Sequence, residues 1–262
     1  MSGSLALSIL GGGGAGAADG AAALMALRRA SAKGAEEKGV VQLSKDASVK
    51  QALSRFTEGI SRAKTVEAAL RDPRVTAVLM PALGLPDGVD VPGMAVRALM
   101  SDTTDPKSVA SRLAATDGRW KNAAATLNLA KRGLEGLRDP AVQKRLAEGY
   151  TSYQWRISRD SEASGISDAL YFGQRMATGK ALTPYEVLGD AVLRRVVTGA
   201  LGLPQTIAIQ EVETQARAIT SRVDLSKLTD ARQATKFAER YVMSAAGTGG
   251  GSAGSSLLGL FA

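Results

Sequence analysis

The pentapeptide Ala82-Leu83-Gly84-Leu85-Pro86 occurs a second time, unchanged, as Ala200-Leu201-Gly202-Leu203-Pro204. At the same offset of 118, the stretches 65–86 and 183–204 also share a threonine, a leucine, an aspartate and a valine. Nine identities in a gapless stretch of 22 residues rarely arise by chance. The sequence therefore predicts a duplicated unit, each copy of which is a fold module.

The repeated pentapeptide has the composition of a helix end. Gly84 and Gly202 can adopt the left-handed conformation that follows a helix, and the next leucine can pack back on the last turn. The proline then prevents the helix from continuing. A phosphate-binding loop is the functional alternative, but it needs further glycines or a Lys-Ser/Thr pair, which are missing here.

Helix signals fill the sequence between the two ends of the chain. Apolar residues recur every three to four positions over 47–63, which predicts an amphipathic helix there. Thr65 and Thr183 stand where a helix cap is expected, and three aspartates followed by proline repeat the pattern. These aspartates are Asp72, Asp105 and Asp139. A helix over 141–159 is predicted to connect the two copies.

The composition favours helix throughout, because alanine and other good helix formers dominate and aromatic residues make up only 4%. We predict an all-α protein with two tandem, related multihelical subdomains and flexible N- and C-terminal tails. The predicted segments are a flexible lead-in (1–44), a first helical repeat (45–130), a connecting helix (131–164), a second helical repeat (165–245) and a Gly/Ser linker with an apolar tip (246–262).

The chain contains neither cysteine nor histidine. Thiol nucleophiles, disulfides, imidazole bases and the usual zinc and haem ligands are therefore absent. No serine lies in a Gly-x-Ser-x-Gly elbow beside an available base. The loop 101–105 contains two carboxylates and three hydroxyls, and an Mg²⁺ or Ca²⁺ site would need more carboxylates. Its composition predicts a turn followed by a helix cap. We expect no catalytic residue, no metal, no cofactor and no small-molecule substrate, so the protein is predicted not to be an enzyme.

The net charge is +8, but the basic residues are spread along the chain among acidic ones. Nucleic-acid binding normally needs basic residues gathered on one face, so no nucleic-acid partner is expected. No apolar run is long enough to span a membrane. The first residues lack the basic charge of a secretory signal peptide, and none is predicted.

Two groups of residues are candidates for contact with a protein partner. Tyr153 and Trp155, followed by Arg156 and Arg159, could stack on a base or on a partner's surface, but core packing between the two halves is the favoured interpretation, because aromatics are scarce and a helical domain needs large residues at its centre. The second group is the apolar tip on its Gly/Ser tether, which is either a docking peptide, for its own body or for a partner, or a frayed terminus. Its large apolar residues are Leu257, Leu258, Leu260 and Phe261.

Several blocks of the sequence resemble those of the alphaproteobacterial domain-of-unknown-function family numbered 1217. The similar blocks are Thr65–Val75, Ala82–Leu85, Ala98–Ser108, Asp117–Trp120 and, in the second half, Ala169–Phe172. The resemblance spans roughly 45–245. The chain departs from the family pattern at Val109, where phenylalanine is usual, and at Pro81, which interrupts a normally smooth helix.

The resemblance implies a multihelical fold and, because genes of this family often lie among flagellar genes, a role in flagellar assembly or structure. It supplies no catalytic residue. The absence of cysteine and the Ser/Ala/Gly-rich first residues are also typical of exported flagellar axial proteins.

We therefore expect a non-enzymatic, flagellum-associated structural or assembly protein, located in the bacterial flagellum or the cytoplasm. Its expected partner is a flagellar component or another copy of itself. The alternative is a cytoplasmic chaperone-like or regulatory adaptor that binds a flagellar subunit through the groove between the subdomains.

Overall fold

The structure, a computed structural model, describes residues 19–249, and all regular structure in that range is helical. The prediction of an all-α fold is confirmed. The α-helices are α1 (19–30), α2 (Ala35–Leu43), α3 (Ala47–Arg62), α4 (Val66–Arg71), α5 (Pro73–Ala82), α6 (Pro92–Leu99), α7 (Val109–Leu113), α8 (Arg119–Leu127), α9 (Leu129–Arg132), α10 (Glu135–Arg138), α11 (Pro140–Ser158), α12 (Ile166–Ala177), α13 (Pro184–Gly189), α14 (Ala191–Ala200), α15 (Val212–Thr220) and α16 (Ala231–Gly249). Short 3₁₀ helices cover Pro86–Asp90, Arg159–Ser161, Gln205–Ile209 and Leu225–Thr229.

The described residues form two compact units whose boundaries differ from the predicted repeats. Unit 1 contains residues 19–32, 158–184 and 192–249, and unit 2 contains residues 33–157 and 185–191. The chain thus enters unit 2 a second time for the short helix α13 and then returns to unit 1. Long-range packing decides this path, and the local repeat pattern carries no information about it.

The lead-in over 1–44 is predicted to be flexible, with one or two helical turns over 21–29, but its described part, from residue 19 onward, is mostly helical. Residues 19–30 and Ala35–Leu43 are helical, and α1 buries Ala23, Ala26 and Leu27. Alanines three to four apart give a narrow apolar stripe that packs closely. A stripe of such small side chains stands out weakly from an alanine-rich background. Residues 1–18 lie outside the described residues.

Both copies of the pentapeptide end a helix as predicted. Gly84 has φ 75° and Gly202 has φ 61°. After α5, the N–H of Leu85 donates to the Met80 carbonyl at 2.9 Å, and after α14 the N–H of Leu203 donates to the Thr198 carbonyl at 2.9 Å. A bond from the third residue after a helix to a carbonyl five residues back is typical of a glycine-terminated helix. The two helix ends therefore share one geometry, whereas the duplication of the whole unit stays a prediction.

We expect Gly202→Ala to lower the free energy of unfolding by about 1–2 kcal/mol, because alanine disfavours positive φ. A Cβ at this position meets no atom within 4 Å, so the cost is conformational and not steric. Gly173→Ala is the matched control, since that helical glycine in unit 1 is equally unobstructed. It should be neutral or stabilising by up to about 1 kcal/mol. Urea unfolding followed by far-UV circular dichroism measures both, and equal effects would contradict the helix-end assignment.

Three of the predicted helix caps are confirmed and one is wrong. The Thr65 hydroxyl accepts from the Ala68 N–H at 3.1 Å, and the carboxylates of Asp72 and Asp139 accept from the N–H two residues ahead. Asp105 instead closes a turn, where its carboxylate accepts from the Lys107 N–H. Ser108 caps α7. Local spacing alone did not distinguish a turn from a cap.

Each unit has its own apolar core. In unit 2, Phe56 and Ile60 of α3 pack among residues of α5, α6 and α8, and Trp120 belongs to the same cluster. In unit 1, the rings of Phe172 and Phe237 lie 5.6 Å apart, centroid to centroid, at the contact between α12 and α16. Burying such large side chains is the main source of stability in a protein with few aromatics.

Candidate functional site

A buried ionic cluster in unit 2 centres on Arg119, the first residue of α8. The backbone N–H of Arg119 donates to Asp117 Oδ1 at 3.0 Å. The guanidinium also binds both oxygens of that carboxylate, through Nε at 2.9 Å and Nη2 at 2.8 Å. This fork-to-fork arrangement fixes the guanidinium plane and is stronger than a single neutral hydrogen bond.

Two further carboxylates and one carbonyl surround the same guanidinium. Asp87 Oδ2 accepts from Nη2 at 3.3 Å, and Asp190 Oδ2 lies 3.4 Å from Nε. Nη1 donates to the Gly84 carbonyl at 3.0 Å, which attaches the cluster to the first pentapeptide. Asp117 and Asp190 are both buried. The cluster, hereafter the Arg119 cluster, therefore joins segments that are distant in sequence around one positive charge.

Helix α13 carries Asp190 to this cluster through close backbone packing. A Cβ placed on Gly189 would lie 2.3 Å from the Thr116 carbonyl oxygen, so only glycine fits against this backbone. Val187, on the same short helix, is fully buried. A helix of six residues is not stable by itself in water. Its position is thus set by contacts at Val187, Gly189 and Asp190.

Unit 1 contains a second polar cluster, in which Tyr241 and Arg195 share the carboxylate of Asp168. The Tyr241 hydroxyl donates to Asp168 Oδ2 at 2.9 Å, and Arg195 binds the two carboxylate oxygens at 2.8 and 2.9 Å. Gly165 and Gly199 leave room for the tyrosine ring, since a Cβ on either would lie within about 3 Å of it. Burial, and next the negative charge of Asp168, raise the pKa of Tyr241 far above its usual value.

The raised pKa of Tyr241 predicts a loss of stability in strong alkali. Its contribution is complete below about pH 10, where the unfolded phenol begins to ionise, and is lost as the pH rises towards the folded pKa. Stability should fall by up to about 1.4 kcal/mol per pH unit over that range.

Tyr241→Phe removes this fall and costs about 1 kcal/mol at neutral pH. Urea unfolding at about pH 8 and about pH 11 tests the difference, with the exposed Tyr185→Phe as control. An unchanged slope in Tyr241→Phe would refute the assignment.

The chain matches the family described as "Protein of unknown function (DUF1217)" over residues 82–233, which is more than half of its length. The chain belongs to this DUF1217 family. The matched region begins at the first pentapeptide and includes the whole Arg119 cluster. The resembling block Thr65–Val75 lies outside the matched region.

The crystal structure of a protein from Agrobacterium tumefaciens, determined by a structural genomics consortium, has a similar fold. It superimposes with a TM-score of 0.65 at 21% sequence identity, covering 84% of this chain and 91% of that chain. At this level of identity the likeness concerns the fold alone. No curated protein matches the chain.

The predicted interaction residues of this DUF1217 protein have different surroundings. Trp155 is buried in unit 2 against Gly39, where a Cβ on the glycine would lie 2.0 Å from the indole Nε1. It therefore packs in the core, and its assignment to a partner surface is wrong. Tyr153 is half-buried beneath the guanidinium of Arg156, 5.7 Å from its ring centroid. The other four predicted residues, Leu257, Leu258, Leu260 and Phe261, lie outside the described residues.

The polar groups of this DUF1217 protein serve mainly as caps and ion pairs. The loop 101–105 is a turn, in which Asp102 accepts from the N–H and hydroxyl of Thr104, and these bonds lower the pKa of Asp102. Within residues 19–249, no three acidic side chains come together in a way that could hold a metal ion. Nor does any helix in the described part of the chain have the length and apolarity to cross a membrane.

Sequence reasoning missed the Arg119 cluster, although two signals for it were present. One signal is the block Asp117–Trp120, which carries part of the family resemblance, and the other is Asp190, which matches Asp72 in the first copy. The pairing of Arg119 with Asp190 spans 71 positions of the sequence. Such a contact follows from tertiary packing and has no local pattern.

Proposed function

We propose that this protein is a non-enzymatic, flagellum-associated structural or assembly protein that acts through protein–protein contacts. The resemblance to a family whose genes often lie among flagellar genes motivates the flagellar part of the proposal. Its partner is a flagellar component or another copy of the chain, and its location is the bacterial flagellum.

A matched pair of exposed aliphatic segments supports a role in protein–protein contact. Each pentapeptide is followed by a 3₁₀ helix, Pro86–Asp90 in unit 2 and Gln205–Ile209 in unit 1. Val89 lies in the first and Val91 directly after it, and both are exposed; Ile209, the last residue of the second, is 88% exposed. Val91 and Ile209 are separated by the same 118 positions as the two pentapeptides.

Exposed β-branched residues at corresponding positions indicate a contact surface. A single exposed aliphatic side chain on a soluble protein needs no explanation. Here, however, both copies of the motif place one at the end of the 3₁₀ helix that follows the left-handed glycine. A rigid apolar projection loses little conformational freedom on binding, which favours its use as an anchor in an interface.

The arrangement of charged groups supports a non-enzymatic role. The buried acidic residues Asp117 and Asp190 are both bound to Arg119, and Asp168 is bound to Arg195 and Tyr241. Because the oxygens of these carboxylates already bind guanidinium or hydroxyl groups of the same chain, they hold the fold together. The described acidic clusters thus have structural uses.

Fractionation of cells tests the proposal. The protein should co-purify with hook–basal bodies, and Val89→Ser with Val91→Ser or Ile209→Ser should reduce its recovery about tenfold, the effect of losing roughly 1.4 kcal/mol of binding. Val41→Ser is the matched control, because Val41 is also an exposed valine but does not follow a pentapeptide. Recovery in the cytosol alone would overturn the proposal and favour the adaptor. Equal recovery of all variants would remove the exposed aliphatic segments from the interface.

Secretion provides a second, independent measurement. Residues 1–45 fused to a reporter should appear in the medium only when the flagellar export apparatus is intact. Retention of the fusion in the cytoplasm would remove export from the proposal and leave a role on the cytoplasmic side.

A further inference from the structure

Two methionines of unit 1 are the starting point, because they are large, apolar and exposed. Met25 on α1 is 65% exposed, and Met243 on α16 is 51% exposed. Methionine is flexible and polarisable, so it adapts to the shape of an apolar partner. Two exposed methionines in one unit thus provide a surface that can accept an apolar segment.

An ion pair places the two methionines in the same region of unit 1. Arg28 Nε lies 2.8 Å from Glu239 Oε1 and so joins α1 to α16. Met25 precedes Arg28 by three residues, and Met243 follows Glu239 by four. Residues at these spacings lie on one helix face, within about 6 Å along the axis. Each methionine is therefore about one helical turn from the ion pair.

On the side away from the ion pair, each methionine is flanked by small uncharged residues. Ala21 and Ala22 are exposed beside Met25 on α1. One turn beyond Met243, Gly247 is exposed and has no atom within 4 Å of a Cβ position. The sequence of α16 carries no charge after Arg240. We call Met25, Met243 and these three small residues the methionine surface.

The segment of chain that follows α16 is suited to this surface. Seven Gly, Ser and Ala residues, 250–256, precede the apolar residues 257–261. Seven residues can span at most about 23 Å, whereas Met243 lies only about 9 Å along the helix from Gly249. The apolar residues can therefore return to the helix from which they emerge.

We propose that the segment Leu257–Phe261 docks on the methionine surface of its own chain. A short tether gives the segment an effective concentration in the millimolar range. Even a contact with a dissociation constant of about 1 mM would then be formed half of the time. Docking removes the apolar segment and both methionines from water, which is the driving force. The inference does not depend on a flagellar role.

A spin label on the end of the chain tests the docking directly. The chain contains no cysteine, so Ala262→Cys gives a single attachment site for a nitroxide. In full-length protein with ¹³C-labelled methionine methyl groups, the label should broaden the signals of Met25 and Met243. Serine at Leu257, Leu258, Leu260 and Phe261 keeps the tether but removes the apolar side chains, and the broadening should be lost. Equal broadening in both proteins would overturn the proposal.

Variants of the surface complete the experiment without disturbing the core. Met243→Gln keeps the length of the side chain but adds polarity, and broadening of Met25 should be lost in it. Met25→Gln should have the same effect on Met243. Val212→Gln is the matched control, since Val212 is an exposed aliphatic residue of unit 1 outside the surface, and it should leave the broadening unchanged. Broadening that survives both methionine substitutions would overturn the proposal.

Dilution identifies the occupant of the surface. Docking within one chain is independent of protein concentration, so the broadening should persist on dilution. Broadening that disappears on dilution would show that a second copy supplies the segment, and it would overturn docking in cis.

Discussion

Replacing Arg119 with methionine is expected to lower the free energy of unfolding of unit 2 by about 3–5 kcal/mol. Asp117 and Asp190 are buried, and the substitution leaves both carboxylates without the guanidinium that compensates them. Methionine keeps much of the length of the arginine side chain, so the loss of charge dominates the effect. The bond to the Gly84 carbonyl is lost as well.

The position of the tryptophans makes this prediction measurable. Both tryptophans, Trp120 and Trp155, are buried in unit 2. Urea unfolding followed by tryptophan fluorescence therefore reports on unit 2, whereas circular dichroism reports on both units. We expect the fluorescence midpoint to fall markedly in Arg119→Met.

Arg74→Met is a closely matched control. Arg74 follows Asp72 by two residues, as Arg119 follows Asp117, and it binds the two oxygens of that carboxylate at 3.1 and 2.7 Å. The pairs differ in burial: the Arg74 side chain is 47% exposed, against 12% for Arg119. The control should cost less than about 1 kcal/mol. Equal costs for both variants would contradict a special role of the buried cluster.

Replacing Gly189 with alanine is expected to cost about 1–3 kcal/mol, because the added methyl group would overlap a backbone carbonyl. The Thr116 oxygen would lie 2.3 Å from the new Cβ, and a backbone atom cannot rotate away as a side chain can. Helix α13 must therefore shift, which also separates Asp190 from Arg119. The same fluorescence measurement detects the loss.

Gly93→Ala is the control for this substitution. Gly93 lies in α6, also in unit 2, and a Cβ there meets no atom within 4 Å. The control should be stabilising by about 0.4–1 kcal/mol, because alanine restricts the unfolded chain. Combining Gly189→Ala with Arg119→Met should cost less than the sum of the two, since both disturb the same contact. Full additivity would show that α13 and Arg119 are energetically independent.

Local signals in the sequence predicted the local structure well. The apolar stripe over 47–63 corresponds to α3, the predicted connecting helix to α11, and both pentapeptides to helix ends with left-handed glycines. These features depend on residues within a few positions of one another. These helices and helix ends are stabilised by capping and by burial of one apolar face. Both leave a local pattern that is visible in a single sequence.

Features that depend on distant contacts were not predicted. Helix α1 has only small residues and one leucine to bury, so its stripe was hard to distinguish from its alanine-rich surroundings. Trp155 packs against Gly39, which lies more than a hundred positions earlier and has no side chain to obstruct the indole. The pairing of Arg119 with Asp190 likewise joins two segments that nothing local connects. In each case tertiary packing supplied the deciding energy.

The return of the chain into unit 2 has a consequence for synthesis on the ribosome. Translation releases residues 33–157 well before residue 190, and at that stage the guanidinium of Arg119 has no Asp190 to meet. Unit 2 is complete only after residue 191 has emerged, when most of unit 1 is still to be made. Domains made early usually fold before later ones appear. Here the nascent N-terminal half waits for a short piece of the C-terminal half, so the two halves mature together.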